Sequence, residues 1–254
     1  MSQKRIYVAY TGGTIGMQQS SHGFIPVPGF LTKTVQSMPE FYRAEMPAFS
    51  IHEYPELIDS SDMTPVHWLQ IARDIQANYQ HYDGFNAFAS PNFPPLLEAG
   101  IQIRLKAGAL GETARVGSQL NVAHVVPQPI SVVTLYPGIS ADVISNMAKA
   151  PVKALIIKSY GIGNAPQQPA LLAALAAATE NGVIIVNCTQ CFSGRVNMDG
   201  YATGKALKVC GVISGYDMTL EATLTKLHYL LSRPLSGETV RQKMQQDLRG
   251  ELSH

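Results

Sequence analysis

The chain has 254 residues, of which 46% are hydrophobic and 15% charged, so it can form one large or two modest domains and is too apolar to be disordered. The net charge of +1, with no basic run, argues against nucleic acid or an anionic membrane as a partner. Three cysteines, a low and odd number, are typical of a reducing compartment and predict a cytoplasmic protein.

The N-terminal half begins with an apolar, β-rich run at residues 6–10, which predicts the first strand of a buried sheet. Residues 17–27 predict a hairpin, and residues 49–58 contain a second extended segment. The Thr-Pro pair at 64–65 predicts the start of a helix that runs to about Asn78. No leader-like segment precedes these elements, and no apolar stretch is long enough to span a bilayer.

Residues 83–95 interrupt this alternation of strands and helices. After the helix an α/β fold should return to its sheet through an apolar strand. Instead, Asp-Gly-Phe at 83–85 leads into a stretch with three prolines in residues 91–95, which is loop composition. The N-terminal half is therefore predicted to have too few strands for a covered parallel sheet.

The second half alternates regularly, which predicts parallel strands joined by right-handed crossovers. The predicted strands are 130–136, 153–159 and 183–188, and the predicted helices are 140–149, 167–180, 220–232 and 239–248. We expect two domains, an N-terminal one at 1–110 and a C-terminal one at 128–254, joined by a connector at 111–127.

The most informative motif is Thr-Gly-Gly-Thr at residues 11–14, directly after the first strand. Adjacent glycines allow a sharp turn and a close approach to a ligand. A hydroxyl just beyond the carboxyl end of a strand lies where open α/β sheets bind ligands, so Thr14 is a candidate nucleophile. The alternative is a plain hairpin turn with threonine as a cap.

Longer stretches make this chain similar to one enzyme family. The stretches 11–16 (Thr-Gly-Gly-Thr-Ile-Gly), 59–63 (Asp-Ser-Ser-Asp-Met), 159–166 and 197–204 resemble the bacterial L-asparaginases, specifically their cytoplasmic type I branch. The resemblance implies two α/β domains: a larger N-terminal one with a parallel sheet, incomplete here, and a smaller flavodoxin-like C-terminal one. It also implies amide hydrolysis through Thr14, without metal or organic cofactor.

A second stretch fits recognition of the amino-acid substrate. An α-ammonium group needs an anionic acceptor, and an α-carboxylate needs hydroxyl donors close by. Asp59 fits the first role, and Ser60 and Ser61 fit the second. The alternative is that these residues form only the turn that enters the helix at 64–65.

The chain departs from the family pattern in two ways. Phe24 stands where the family has a tyrosine in the flap, and phenylalanine has no hydroxyl to relay a proton. The second family signature, of the form His-Gly-Thr-Asp-Thr, and its later lysine are absent from the chain. Here Asp-Gly-Phe at 83–85 is followed directly by residues 86–91, Asn-Ala-Phe-Ala-Ser-Pro, which resemble a later part of the family sequence. We therefore hypothesise an internal deletion between Phe85 and Asn86.

The resemblance also implies an effector site and an oligomer. Lys158, Thr189 and Cys191 match the positions where type I enzymes bind a second, regulatory asparagine, with lysine in place of the usual arginine. Asn164 matches a residue that reaches the active site of a neighbouring subunit, and a homodimer or homotetramer is expected. A redox or metal role for the C-x-x-C pair at 188 and 191 lacks the surrounding signals, and no metal is expected.

The predicted function is hydrolysis of L-asparagine to L-aspartate and ammonia by a threonine nucleophile through an acyl-enzyme. The alternative is a catalytically impaired remnant that binds asparagine or aspartate, or pairs with an intact subunit. A subunit of a tRNA-linked amidotransferase is disfavoured by the neutral charge.

Overall fold

The computed structural model describes residues 3–12, 16–21, 23–44, 46–57, 63–86, 97–99, 103–105, 119–200 and 202–252. They fall into two compact units. The first contains the described residues of Met1–Ala89 and Arg115–His124, and the second those of Ser90–Ala114 and Val125–His254. Among the described residues, no helix has the length and apolar character needed to cross a membrane.

The first unit is built on a parallel sheet. Its strands are β1 (Arg5–Tyr10), β2 (Met17–Ser20), β3 (Gly23–Pro26), β4 (Ala48–Glu53) and β5 (Gly84–Asn86), and its α-helices are α1 (Phe30–Gln36) and α2 (Pro65–Asn78). A short 3₁₀ helix spans Pro39–Tyr42. Strand β1 lies between β4 and β5 and is parallel to both, whereas β2 and β3 form the predicted hairpin.

Strand β5 corrects the prediction that the chain does not return to the sheet after α2. Gly84 lies opposite Ile6, and Phe85 opposite Tyr7, in a parallel pairing. The sequence did not predict this strand because Gly-Phe-Asn lacks the apolar run that is typical of a buried strand. A methyl group at Gly84 would lie 3.0 Å from Cδ1 of Ile6, the end of a flexible side chain, so the pairing tolerates glycine without requiring it.

The second unit has the predicted alternation of strands and helices. Its strands are β6 (Leu97–Ala99), β7 (Ile103–Leu105), β8 (Ile130–Thr134), β9 (Ala154–Ser159), β10 (Ile184–Thr189) and β11 (Ile213–Ser214). Its helices are α3 (Ala141–Met147), α4 (Pro169–Glu180), α5 (Ala202–Val209), α6 (Leu220–Leu231) and α7 (Gly237–Met244). The parallel order is β11-β10-β9-β8, and β6 and β7 form an antiparallel pair.

Each face of this sheet carries its own core. Alternate residues of β9 point to opposite faces: Leu155 and Ile157 join the cluster under α3, α4 and α5, whereas Ala154 and Ile156 join the cluster under α6 and α7. Burial on both faces explains why β9 and β10 are continuous apolar runs rather than alternating ones.

Candidate functional site

The carboxyl ends of β1 and β4 lie side by side in the first unit. Tyr10, the last residue of β1, is in register with Glu53, the last residue of β4. The Tyr54 amide donates a hydrogen bond of 3.0 Å to the Tyr10 carbonyl and extends this pairing by one residue. The two strands therefore end at one edge of the sheet, and the stretches 11–16 and 54–62 follow them directly in the sequence. Ligands of open α/β sheets bind at this kind of edge.

The four predicted catalytic and substrate-binding residues, Thr14, Asp59, Ser60 and Ser61, lie outside the described residues, and their roles stay predictions. The turn that leads to Thr14 is described as far as Gly12, whose φ of 127° is a backbone conformation that favours glycine. This conformation accounts for glycine at this position of the motif.

A polar cluster below this edge was not predicted from the sequence. The hydroxyls of Tyr7 and Tyr54 both donate to the same carboxylate oxygen of Asp74 on α2, the Tyr54 bond being 3.0 Å long. Burial, followed by the hydrogen bond to Asp74, raises the pKa of both tyrosines. Their hydroxyls therefore stay protonated as donors and fix α2 against β1 and β4. The one sequence signal is that Asp74 follows the buried Ile71 by three residues, on the same side of the helix.

Glu53 fixes a second helix near the same edge. Its carboxylate accepts hydrogen bonds from the backbone amides of Gly29 and Thr32 and from the Thr32 hydroxyl, the last at 2.6 Å. Desolvation acts to raise the pKa of Glu53, but these hydrogen bonds outweigh it, so the pKa is below its ordinary value. A charged carboxylate at the start of α1 satisfies the free amides of that helix end.

The second unit brings together two of the three predicted effector residues. The Thr189 hydroxyl donates to the Gly161 carbonyl at 2.5 Å and accepts from the Cys191 amide at 3.0 Å. The Cys191 thiol lies 3.9 Å from the same carbonyl. Among the described residues, the Lys158 side chain makes no hydrogen bond to Thr189 or Cys191, and its positive charge acts on the Cys188 thiol. Thr189 and Cys191 thus form a local pair at the end of β10.

Asn164 lies in the loop that follows β9. Its backbone pairs with Tyr160 in an isolated antiparallel bridge, and its side-chain oxygen accepts a hydrogen bond of 2.7 Å from the Thr203 hydroxyl. These contacts connect the two stretches, 159–166 and 197–204, that carry the resemblance in this half of the chain.

The cysteines offer no reactive or metal-binding pair among the described residues. Cys188 and Cys210 are buried, Cys191 is exposed, and all three are free thiols. Burial raises the pKa of the Cys188 thiol to about 11, which disfavours the nucleophilic thiolate. The described part of the chain holds no group of three or more His, Cys, Asp or Glu residues arranged to bind a metal ion.

Comparison with known proteins identifies the family. A family model described as "Asparaginase, N-terminal" matches residues 5–85, and one described as "Glutaminase/Asparaginase C-terminal domain" matches residues 129–244. The chain is 46% identical to L-asparaginase 1 of Escherichia coli K12, and the alignment covers 100% of this chain and 99% of that protein. The chain belongs to the asparaginase family.

Solved asparaginase structures support the same assignment. The crystal structure of L-asparaginase I from Vibrio cholerae is 44% identical, with a TM-score of 0.80 and full coverage of both chains. The L-asparaginase of Thermococcus kodakarensis is 19% identical with a TM-score of 0.76, and this likeness concerns the fold alone.

The alignment also bears on the hypothesis of an internal deletion. It runs over 340 positions, although the chain has only 254 residues, so many positions of the Escherichia coli asparaginase have no counterpart here. The N-terminal family model stops at residue 85, and residues 86–128 are matched by neither model. Both observations agree with a deletion after Phe85.

Proposed function

We propose that this asparaginase hydrolyses L-asparagine to L-aspartate and ammonia. The observation that carries the proposal is the 46% identity to an L-asparaginase along essentially the whole length of both proteins. This full-length likeness favours a hydrolase over the alternative of an impaired remnant.

Thr14 is proposed as the nucleophile. Its hydroxyl would attack the side-chain amide carbon, the C–N bond would break, and the proton lost from the hydroxyl would pass to the leaving NH2 group, which departs as ammonia. Water would then hydrolyse the acyl-enzyme to aspartate. Backbone amides of the glycine turn would hold the oxyanion. The positive φ of Gly12 supports this role for the glycine turn, because residues with a side chain rarely adopt that conformation.

Asp59, Ser60 and Ser61 are proposed to hold the α-ammonium and α-carboxylate groups of the substrate. The support is the register of β1 with β4, because the two strands end at the same edge of the sheet, and these stretches of the sequence follow them directly. A nucleophile on one stretch and the substrate anchors on the other would then face the same ligand.

The reaction is proposed to take place in the cytoplasm, in a homodimer or homotetramer. The free thiols of Cys188, Cys191 and Cys210 support a reducing compartment. Lys158, Thr189 and Cys191 are proposed as a regulatory site for asparagine, supported by the convergence of Thr189 and Cys191 on the Gly161 carbonyl.

The test is ammonia release from L-asparagine, measured over a range of substrate concentrations. The purified chain is expected to release ammonia, and Thr14→Ala is expected to lower kcat by at least about a thousandfold, since removing a nucleophile leaves only binding and oxyanion stabilisation. A sigmoidal dependence on asparagine would agree with the regulatory site.

Thr225→Ala is the matched control. Among the described residues, this exposed hydroxyl bonds to the Glu221 carbonyl of its own helix, so its removal should leave kcat unchanged. Equal activity of Thr14→Ala and the parent chain would exclude Thr14 as the nucleophile. A folded parent chain that releases no ammonia would overturn the proposed hydrolysis and revive the impaired remnant.

A further inference from the structure

Tyr10 carries a buried hydroxyl that has no hydrogen-bond partner among the described residues. It is the last residue of β1 and only 4% exposed. Tyr7, on the same strand and equally buried, donates its hydroxyl to Asp74. A buried hydroxyl without a partner costs free energy, so its presence at this position needs a physical reason.

The hydroxyl of Tyr10 packs against the backbone of Gly16, a buried residue. A methyl group at Gly16 would lie 1.7 Å from the hydroxyl oxygen and 2.4 Å from the ring carbon that bears it, so the two residues are in direct contact. The Gly16 carbonyl accepts a hydrogen bond of 3.1 Å from the Val27 amide, beyond the hairpin of β2 and β3. Tyr10 therefore packs against the residue that directly precedes the hairpin.

The nearest charged group in the pairing, Glu53, does not use this hydroxyl. Glu53 is in register with Tyr10, but its carboxylate already accepts three hydrogen bonds from Gly29 and Thr32. Burial, followed by the charge of Glu53, raises the pKa of Tyr10. The phenol is therefore a protonated donor at neutral pH, in contact with Gly16, which follows the proposed nucleophile by two residues in the sequence.

We propose that Tyr10 is a positioning residue for the asparagine hydrolysis proposed above. Its hydroxyl gains a hydrogen-bond partner when the turn at 11–16 holds an amino-acid ligand, and this bond fixes the orientation of the nucleophile. The inference rests on the proposed function. It also gives the chain a tyrosine hydroxyl at the site from β1, whereas the hairpin position carries Phe24.

The test compares Tyr10→Phe with Tyr7→Phe, which removes the same atom from the same strand. Thermal unfolding is measured with and without L-aspartate, together with kcat and KM. Tyr10→Phe is expected to unfold at the parent temperature or above without ligand, to show a smaller increase with L-aspartate, and to lower kcat about tenfold while KM changes less. Tyr7→Phe is expected to unfold at a lower temperature and to keep the parent kcat.

The two readouts separate failure of the inference from failure of the proposed function. If the parent chain is active, and Tyr10→Phe keeps both the parent kcat and the parent rise in unfolding temperature with L-aspartate, the inference is overturned and the proposed function stands. If the parent chain binds L-aspartate but does not hydrolyse L-asparagine, the proposed hydrolysis is overturned. The rise in unfolding temperature with L-aspartate still decides the role of Tyr10. A parent chain with neither turnover nor an L-aspartate response overturns both.

Discussion

A single buried ammonium group joins the last described residues of the chain to helix α6. The Lys226 side chain is only 4% exposed, and its Nζ lies 2.5 Å from Glu251 Oε1, 2.5 Å from the Gln246 carbonyl and 3.1 Å from the Met244 carbonyl. The three acceptors match the three N–H donors of an ammonium group. Glu251 in turn accepts from the backbone amides of Leu248 and Arg249. One side chain thus fixes the segment that follows α7.

Lys226→Met is expected to destabilise the protein by about 3–5 kcal/mol, because removing one partner leaves a carboxylate and two carbonyls without their donor. Urea unfolding at neutral pH measures the loss. Lys208→Met is the matched control: its pair with Asp199 is exposed, with side chains 62% and 70% accessible, and its loss should cost less than about 1 kcal/mol. Similar losses in both variants would show that the buried ammonium is replaceable.

The same contact predicts how the stability of this region depends on pH. Desolvation acts to raise the pKa of Glu251, but hydrogen bonds from Lys226 and from backbone amides outweigh it, so the folded pKa lies below the ordinary 4.5. The unfolded chain therefore binds the proton first. The contribution of Glu251 is complete above about pH 4.5 and is lost as the pH falls through the folded pKa. In Lys226→Met this loss of stability with falling pH should be smaller.

Neither Lys226 nor Tyr10 could be assigned its role from the sequence. A lysine in an amphipathic helix is ordinarily exposed, and only the returning segment after α7 encloses Lys226. The partners of a tyrosine on a buried strand depend on packing that residue types alone do not specify. Thr14, Asp59, Ser60 and Ser61 were predicted because short motifs carry them, and their geometry stays a prediction.

At the scale of elements, the best-predicted parts have a clear signal in the sequence: an apolar run in each strand, and a proline or a threonine cap at the start of each helix. Strands β8, β9 and β10 and helices α2, α4 and α6 agree with their predicted spans to within a few residues. Helix α7 was predicted at 239–248 but ends at Met244. Lys226 donates to the carbonyls of Met244 and Gln246, so acceptors at this helix end are satisfied from outside the helix.

Helices α1 and α5 were not predicted, α1 because its start depends on a tertiary contact and α5 because it contains a glycine. Helix α1 has seven residues and relies on Glu53 to satisfy its first amides. Helix α5 has eight residues and contains Gly204, a residue that lowers helix propensity. The helix propensity of its residues therefore disfavours α5, although the folded chain contains this helix.

Gly204→Ala tests whether packing or propensity dominates in α5. A methyl group there would lie 2.7 Å from the Met198 carbonyl oxygen and 2.9 Å from its Cα, both backbone atoms. We expect a loss of about 1–3 kcal/mol from overpacking, although alanine is the better helix former. Urea unfolding measures it.

Gly237→Ala is the control, because this glycine begins α7 and has no atom within 4 Å of the position of an added methyl group. It should be neutral or stabilise by up to about 1 kcal/mol. Stabilisation of equal size at both glycines would show that α5 moves away from Met198 at little cost.

At the scale of the whole molecule, both core clusters of the second unit are built from one continuous part of the chain. The buried members run from Val133 to Leu252. The sequence identified this half as a domain because strands and helices alternate there without interruption. It could not place the start of the domain, because residues 111–127 show no regular pattern. The boundary at 128 stays a prediction.

Hydrogen bonds attach the chain before β8 to helix α6 and its C-cap. The Ser232 hydroxyl accepts from the Val126 amide at 3.0 Å and donates to its carbonyl at 3.3 Å. The backbone amide of Gln128 donates a hydrogen bond of 3.0 Å to Nδ1 of His228. Burial lowers the pKa of His228, which keeps this ring nitrogen available as an acceptor near neutral pH. We therefore propose that the continuous C-terminal part of the second unit begins at Val125, three residues before the predicted boundary at 128.

Two fragments test this boundary, one of residues 125–254 and one of residues 129–254. The longer fragment is expected to unfold cooperatively, because it contains both core clusters, and the shorter one to be less stable by about 1–3 kcal/mol, because it lacks the bonds to Ser232 and His228. Urea unfolding of the two purified fragments at pH 7.5 measures the difference. Equal stabilities would place the boundary after Gln128, and a longer fragment that does not fold would mean that the clusters need residues from outside this segment.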